Sequence, residues 1–392
     1  MDNTYARLPG EAFEDYFVRI CQNKNVYGLT FEQVADILNA ECGETYTESK
    51  WRKQWKNFNR GMQYARKHYS NEVLDDQCRQ LEKQRYRLAE ERSALKRMVR
   101  DEARKDAWID EIKLCFSRQA PLPFPMTRKL TANNGGTLVV VASDWHIGMA
   151  FNTPYGEYNS DIAAKYVDEY ANQAISAANT LGADKCVVAF AGDMISGVIH
   201  SQLRVESREA LVEQIKLAED LSAKFIHKLS GVFTSVDVYG VGGNHSRVFD
   251  KDNAMLGEML DDLIPHYIRA KLANCQNVFV HEPEYDMALE SFYVGNKHTI
   301  LVHGEYDNVN EANLGRLERM TGGIVDVVIC GHLHENMFAD VSGVHVIRGG
   351  TLGGSGDQYT LKGRYSCEPS QTMAYFDAEN KLRAILPVYF KN

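Results

Sequence analysis

The chain has 392 residues, 44% of them hydrophobic and 25% charged, with a formal net charge of −9. That length accommodates two or three domains, and the charged fraction is ordinary for a soluble protein. No apolar run approaches the roughly eighteen residues that a membrane crossing needs, and the opening MDNTYARLPGEAFEDYF lacks the basic-then-apolar layout of a secretion signal.

Charge is unevenly spread. Residues 1–136 hold 24 Lys and Arg against 20 Asp and Glu, and the remainder holds 20 against 33. Affinity for a polyanion is therefore expected mainly from the N-terminal part. The eight cysteines show no Cys-x-x-Cys spacing, and Cys186 and Cys330 fall inside apolar runs. Reduced core thiols in a cytoplasmic protein with no membrane partner are the simplest reading.

Residues 1–70 read as helical. Thr30-Phe-Glu-Gln33 fits a capping box, and Phe31, Val34, Ala35 and Leu38 make one apolar stripe. After the polar break CGETYTES, Trp51, Trp55, Phe58 and Met62 recur at helical spacing. Arg52, Lys53, Lys56, Arg60, Arg66 and Lys67 fall around them, with no acidic residue from Trp51 to Ser70. A helix, a turn and a second helix with a basic face suggest a helix-turn-helix-like module touching DNA backbone through residues 47–70. The alternative is a small helical bundle whose basic face is solvated or meets an acidic partner.

Residues 71–118 form a long, charged helical stretch. Leu74, Leu81, Leu88 and Leu95 repeat every seven residues, the spacing of a coiled-coil seam, although Arg85 and Arg92 weaken the companion row. This stretch serves either a homodimer or a single helix packed on the domain that follows. In residues 119–136 the prolines of QAPLPFPM stop the helix and favour an extended linker.

From residue 137 the pattern is strand, polar loop, helix, repeated. The run in Thr137–Gly148, TLVVVASDWHIG, climbs to Asp144 and His146. Lys185–Ala191 ends in Gly192-Asp193, and Ser235–Val241 ends in Gly242-Gly243-Asn244-His245. His298–Val302 ends in His303-Gly304, and Val325–Cys330 ends in Gly331-His332-Leu333-His334. Five of the twelve histidines thus sit where a buried strand stops, which is where a layered α/β protein presents its site. Helices are expected at about 161–181, 203–230 and 253–273. The fold class is α/β behind an all-helical N-terminal region, with residues 137–392 as the catalytic domain.

Taken in order, Asp144-x-His146, Gly192-Asp193, Gly243-Asn244-His245, His303 and Gly331-His332-x-His334 resemble the motifs of the calcineurin-like metallophosphoesterase superfamily. The match spans essentially all of 137–392. The resemblance implies a four-layer sandwich, a β-sandwich flanked by helices, around a two-metal centre. By position, Asp144, His146 and His334 would hold one ion; Asn244, His303 and His332 would hold the other; Asp193 would bridge. His245 resembles the family's uncoordinated histidine beside the scissile phosphate, an acid or transition-state stabiliser opposite a metal-bridging hydroxide nucleophile. The residue types agree on their own terms. Carboxylate, amide and imidazole ligands without thiolates suit borderline divalent ions such as Mn²⁺, Fe²⁺ or Zn²⁺; Mn²⁺ is the leading expectation, with Fe²⁺, Zn²⁺ or Mg²⁺ as alternatives, and two such ions can clamp an in-line displacement at phosphorus.

Departures from the family bear on substrate. Ser196 stands where the second motif often carries the Asp that would orient the histidine, leaving the role of His245 open. Met194-Ile195-Ser196-Gly197 and Ser246 replace the residues that mark Ser/Thr protein phosphatases, and Arg247 after Asn244-His245 looks more like the DNA double-strand-break repair nuclease branch and its phage-borne relatives. Arg247 either bonds a phosphate oxygen or neutralises Asp250 or Asp252. His200 either reaches substrate or begins the next helix. Tyr155, Tyr158 and Asn159 offer a rim for stacking a base, and the glycine-rich GGTLGGSG at 349–356 a flexible lip, not a P-loop. The leading expectation is a two-metal DNA nuclease delivered by its N-terminal helices. The rivals are a nucleotide or cyclic-nucleotide phosphodiesterase with an oligomerising N-terminal region, and a DNA- or partner-binding scaffold with a structural metal centre. Nothing in these residues names an ATPase partner.

Overall fold

The computed structural model of the chain describes residues 5–68, 72–117, 120–125, 134–199, 207–248, 258–307 and 309–391. Met1–Arg104 and Lys105–Asn392 form two compact units.

In the first unit, helices α1 (Phe13–Gln22), α2 (Phe31–Cys42) and α3 (Glu48–His68) enclose a small core of Tyr16, Phe17, Ile20, Val34, Leu38 and Trp51. The expected capping box is formed: Thr30 Oγ1 accepts from the Gln33 amide at 3.2 Å, and Gln33 Oε1 accepts from the Thr30 amide at 2.8 Å. Trp51 Nε1 donates to Asn39 Oδ1 at 3.0 Å, so the largest ring in this core also satisfies its polar atom. The apolar stripe expected along α3 stops short. Trp51 is buried and Trp55 half-buried, but residues 56–67 are exposed throughout, Phe58 and Met62 included. The 21-residue α3 is about twice as long as α1 (10 residues) or α2 (12 residues), so its second half has no helix to pack on. Helix α4 (Glu72–Ser117) is one 46-residue helix running from the first unit into the second.

The second unit is a four-layer α/β/β/α sandwich. Its first sheet has the order β13-β12-β1-β4-β5-β6, where β1 is Gly136–Ala142, β4 Ala183–Phe190, β5 Ser235–Gly240, β6 Val278–Val280, β12 Ser370–Phe376 and β13 Leu382–Tyr389. Strands β1, β4, β5 and β6 run parallel, while β12 pairs antiparallel with β1 on one side and with β13 on the other. The second sheet has the order β10-β11-β9-β8-β7, with β7 Leu289–Val294, β8 Lys297–Val302, β9 Val327–Cys330, β10 Met337–Val341 and β11 Val344–Arg348. A small hairpin, β2 (Phe151–Thr153) and β3 (Gly156–Tyr158), follows the first strand's loop.

Alternation along β1 and β4 assigns each side chain to a layer. Leu138, Val140, Cys186 and Val188 face helices α5 (Ser160–Leu181), α6 (Leu211–Ser230) and α7 (Leu263–Lys271). Val139, Val141, Val187 and Ala189 face Phe292, Leu301, Val327, Ile329 and Ile347 of the second sheet. The outer face of that sheet packs Ile300, Val302, Val328 and Cys330 on Leu314 and Leu317 of helix α8 (Glu311–Thr321). Two expected helices are shorter than their apolar patterns. Described helix starts at Leu211 and Leu263, while 203–206 and 253–257 lie outside the described residues.

The proline segment at 120–125 forms neither helix nor strand, and it does not run free. The Leu122 amide donates to Lys271 O at 2.8 Å, Asn274 Nδ2 to Leu122 O at 2.9 Å, and His227 Nε2 to Pro123 O at 2.9 Å. Leu122 packs on the main core, so this stretch straps the second unit across α6 and α7.

Candidate metal centre and active site

Two parallel sets, β1-β4-β5 in one sheet and β8-β9 in the other, bring their C-terminal ends to one place. From the first sheet, β1 leads to Asp144 and His146, β4 to Asp193, and β5 to Asn244 and His245. From the second, β8 leads to His303 and β9 to His332 and His334. The loops stay in register beyond the strands. Asp144 N bonds Gly192 O, His146 N bonds Asp193 O, and Gly331 N bonds His303 O, each at 3.0 Å.

Backbone strain concentrates here. Among the described residues, eight non-glycine positions have positive φ, and five are Asp144, His146, Asp193, His332 and His334. Asp and His tolerate the left-handed region better than bulkier residues, but each such position still costs about 1 kcal/mol or more. The close approach of two glycines explains part of it. A Cβ on Gly192 would stand 2.8 Å from Gly243 Cα and from His303 Nδ1, and one on Gly243 would stand 2.7 Å from Asp193 Cγ. Only bare backbone lets the Asp193 and Asn244 loops meet.

The ligand atoms fall into two groups linked by a third, His146, Asp193 and His245. Asp144, His146 and His334 make one: Asp144 Oδ1 lies 3.4 Å from His334 Nε2 and 3.8 Å from His146 Nε2, and the two imidazole nitrogens are 3.1 Å apart. Asp193, His303 and His332 make the other: His303 Nε2 lies 3.2 Å from Asp193 Oδ2 and 3.2 Å from His332 Nδ1. Asn244 Oδ1 joins this second group, 3.0 Å from His303 Nε2. Asp193 sits between the groups, with His245 Nε2 4.0 Å from its Oδ2. Every metal-ligand candidate read from the sequence is in this cluster.

The donor set fits divalent cations. His303 Nδ1 is 2.7 Å from Ala191 O, so it must donate, and its Nε2 lone pair faces the oxygens of Asp193 and Asn244. Lone pairs converging on lone pairs repel unless a positive charge stands among them. Buried Asp144 Oδ1 likewise has no hydrogen-bond donor. Without a metal, protons carry some of that charge. Burial opposes a charged His303, but the Asp193 carboxylate outweighs it and raises the imidazole to about 10. His146 goes the other way, to about 3, because burial and the neighbouring His245 and His334 disfavour its cation.

His245 is oriented without the missing carboxylate. Its Nδ1 lies 2.9 Å from the backbone carbonyl of Ser196, which can only accept, so Nδ1 carries a proton and Nε2 is left toward the site. The position where Ser replaces Asp therefore still orients the imidazole, through main chain. Arg247 is buried, paired with Glu305 at 3.1 Å and bonded to Tyr306 Oη at 3.2 Å. It ties the loop after β5 to the loop after β8 and does not line the cavity over the metals. Asp250 and Asp252, its expected alternative partners, and His200 lie outside the described residues.

Two readings of the rim change. Tyr158 is fully buried with its hydroxyl on the Trp145 carbonyl, and Asn159 caps α5 by accepting from the Asp161 and Ile162 amides, so only Tyr155 is exposed. The glycine-rich 349–356 stretch is no loose lip. Thr351 Oγ1 and the Leu352 amide both donate to Asp144 O, at 2.9 and 3.2 Å, making a packed floor under that ligand. One supporting residue gave no sequence signal. Buried Asp261 accepts from the Met194 and Gly243 amides at 3.4 and 3.2 Å, clamping the loops that carry Asp193 and Asn244. Only the fold brings it there.

Residues 138–379, well over half the chain, match the family model of the calcineurin-like phosphoesterase superfamily domain, and residues 1–70 match the YonJ N-terminal domain. The SPbeta prophage-derived uncharacterized protein YonJ of Bacillus subtilis (strain 168) is 23% identical over 341 residues, covering 84% of this chain and 83% of that protein. An archaeal phosphodiesterase aligns at 15% identity over 64% of this chain and 99% of its own, with a TM-score of 0.31. Vacuolar protein sorting 29 from Cryptosporidium parvum aligns at 15% identity over 65% of this chain and 100% of its own, with a TM-score of 0.30. No helix among the described residues is long and apolar enough to cross a membrane.

Proposed function

The chain belongs to the calcineurin-like phosphoesterase superfamily, and from that premise we propose that it is a phosphodiesterase that cuts DNA, with the N-terminal helices supplying contact to the strand. The observation that carries the catalytic reading is the convergence of Asp144, His146, Asp193, Asn244, His303, His332 and His334, with Asp144, His146 and His334 in one group and Asp193, His303 and His332 in another, linked through His146, Asp193 and His245. Two divalent ions, Mn²⁺ before Fe²⁺, Zn²⁺ or Mg²⁺, would supply Lewis-acid activation of water and neutralise the phosphate. Asp144, His146 and His334 would hold one, Asn244, His303 and His332 the other, with Asp193 common to both. His245 acts at Nε2: the Ser196 carbonyl holds Nδ1–H and fixes the ring, so that a ring protonated at both nitrogens would give its Nε2 proton to the departing oxygen and remain as the neutral Nδ1–H imidazole. DNA contact rests on α3, where Lys53, Lys56, Arg60, Arg66 and Lys67 are all exposed.

The rival reading, a phosphodiesterase of free or cyclic nucleotides, is favoured by the excess of 33 acidic over 20 basic residues in 137–392. One assay separates the two: linear DNA, bis-p-nitrophenyl phosphate and cyclic nucleotides, each with Mn²⁺. We expect turnover of the first two, a loss of about 10²–10⁴-fold in kcat for His245→Ala, and no turnover for Asp193→Asn. Turnover of cyclic nucleotides alone would move the assignment to the rival. A wild-type protein inert toward all three would overturn the catalytic reading.

A further inference from the structure

Five of the metal-ligand candidates, His146, Asp193, Asn244, His332 and His334, line a cavity of about 580 Å³, within the size range of sites for single small molecules. The short helix α9 (Gln358–Gly363) and the turn after it line the same cavity, with Tyr359, Tyr365, Ser366 and Cys367 in the wall. Leu333, between His332 and His334, lines it as well. None of the described lining residues is lysine or arginine, and Arg247 is turned away onto Glu305. Past the one phosphate the metals would hold, no cationic side chain among the described wall residues attracts a second. The charged side chains there, Glu335 and Asp357, would repel one.

What the wall offers is aromatic surface. Tyr359 is 63% and Tyr365 56% exposed, although each buried ring of that size would stabilise the fold by about 1.5–3 kcal/mol. The two rings are set by local structure. Asp357 caps α9, accepting from the Tyr359 and Thr360 amides at 3.1 and 3.3 Å, and Arg364 turns the chain in the left-handed region. The Tyr365 amide then bonds Thr360 O at 3.0 Å, and the Tyr365 ring lies against the bare Cα of Gly363. The rings stand 5.5 Å apart at 34°. Such a pair has few rotamers to lose, so it presents flat apolar area at low entropic cost.

We propose that Tyr359 and Tyr365 are a stacking platform for one unpaired nucleobase of the substrate whose phosphate lies at the metals. This rests on the phosphodiesterase reading and narrows its substrate class. A paired base keeps both faces in its own stack, so the platform takes a strand end or a free nucleotide, not the interior of a duplex. Sequence preference is weak, because every base has a π-face and stacking carries no hydrogen-bond code.

Binding tests this apart from turnover. Adenosine 5′-monophosphate and ribose 5-phosphate share the phosphate and sugar and differ in the base. Calorimetry on the full chain loaded with Mn²⁺ is expected to show the nucleotide binding about tenfold tighter or more. Tyr359→Ala with Tyr365→Ala should erase that difference and leave ribose 5-phosphate unchanged, while Tyr359→Phe with Tyr365→Phe should keep it. A single-stranded oligothymidylate competing better than the mononucleotide assigns the platform to a strand end; equal competition assigns it to free nucleotides. Equal affinity of wild-type protein for the two monophosphates would overturn the platform, even with DNA cleaved. Absent turnover beside an intact affinity difference would overturn the phosphodiesterase reading instead.

Discussion

At the scale of single residues, the metal-free site is a set of lone pairs short of positive charge, and that shortage has a measurable consequence. His303 is raised to about 10 in the absence of metal, so at neutral pH its imidazole carries a proton. A metal needs the neutral ring, so uptake must expel that proton, and apparent affinity should rise about tenfold per pH unit below 10. Calorimetric titration with Mn²⁺ at pH 7 and 8, in buffers of different ionisation heat, should record about one proton released. Uptake indifferent to pH over that interval would show that His303 holds no proton there before the metal binds. A second buried group acts on stability. Glu219 of α6 is buried with Oε1 unpaired, and burial raises it from 4.5 to about 8, against a smaller opposing pull from Lys216. Below pH 4.5 folded and unfolded chains both hold the proton, and the residue costs nothing. Between 4.5 and about 8 the unfolded chain releases its proton while the folded one keeps it, so stability falls by an amount of order a few kcal/mol. Glu219→Gln, which cannot ionise, should therefore raise the urea midpoint at pH 9 and leave it nearly unchanged at pH 4.5. An equal shift at both values would trace the effect to packing.

At the scale of elements, α4 carries the clearest unpartnered pattern. Leu81, Leu88 and Leu95 are each 59% exposed or more, and a spacing of seven keeps them within about 20° per step of one line along the helix. We propose that this line meets its copy on a second chain. Leu88→Lys should then convert a dimer to monomer in sedimentation equilibrium, whereas wild-type protein that is monomeric at every concentration would refute the seam. The same heptads were readable in the sequence, as were the five strands that end in ligands. Their signal is local: an apolar β-branched run, then glycine, then Asp, Asn or His. Other elements lack such a signal. Strand β12 is buried along its whole length yet begins Ser-Gln-Thr. Gln371 and Thr372 find partners across the fold, Gln371 bonding both the amide and the carbonyl of Ser143 at 3.0 and 2.8 Å and Thr372 Oγ1 donating to Arg348 O at 3.0 Å. Asp261 and the Ser196 carbonyl are equally silent until the loops after β4 and β5 are brought together. The exposed half of α3 shows the converse limit, since periodicity marks which side chains could pack and not whether a partner is long enough to cover them.

At the scale of the whole molecule, basic and acidic character are separated along the chain, and the proposed function divides the same way. Phosphate chemistry is assigned to residues 137–392, which are acidic overall, and strand contact to α3, whose exposed bases carry no sequence-reading role. Electrostatic affinity of that kind is lost with salt in proportion to the phosphates neutralised, with a slope of about −0.9 per contact on duplex DNA. Removing residues 1–118 deletes α1 to α4 and spares the 120–125 strap with its bonds to Lys271, Asn274 and His227. The catalytic layers should therefore fold in the truncated protein, with hydrolysis of bis-p-nitrophenyl phosphate retained. DNA affinity should drop, and its dependence on salt should flatten by up to about 4.5 in slope if all five exposed bases of α3 engage phosphates. Affinity and slope unchanged by the truncation would relocate strand contact to the catalytic part. Because that part is acidic and its cavity wall carries no described lysine or arginine, such a result would also favour a small nucleotide as the physiological substrate.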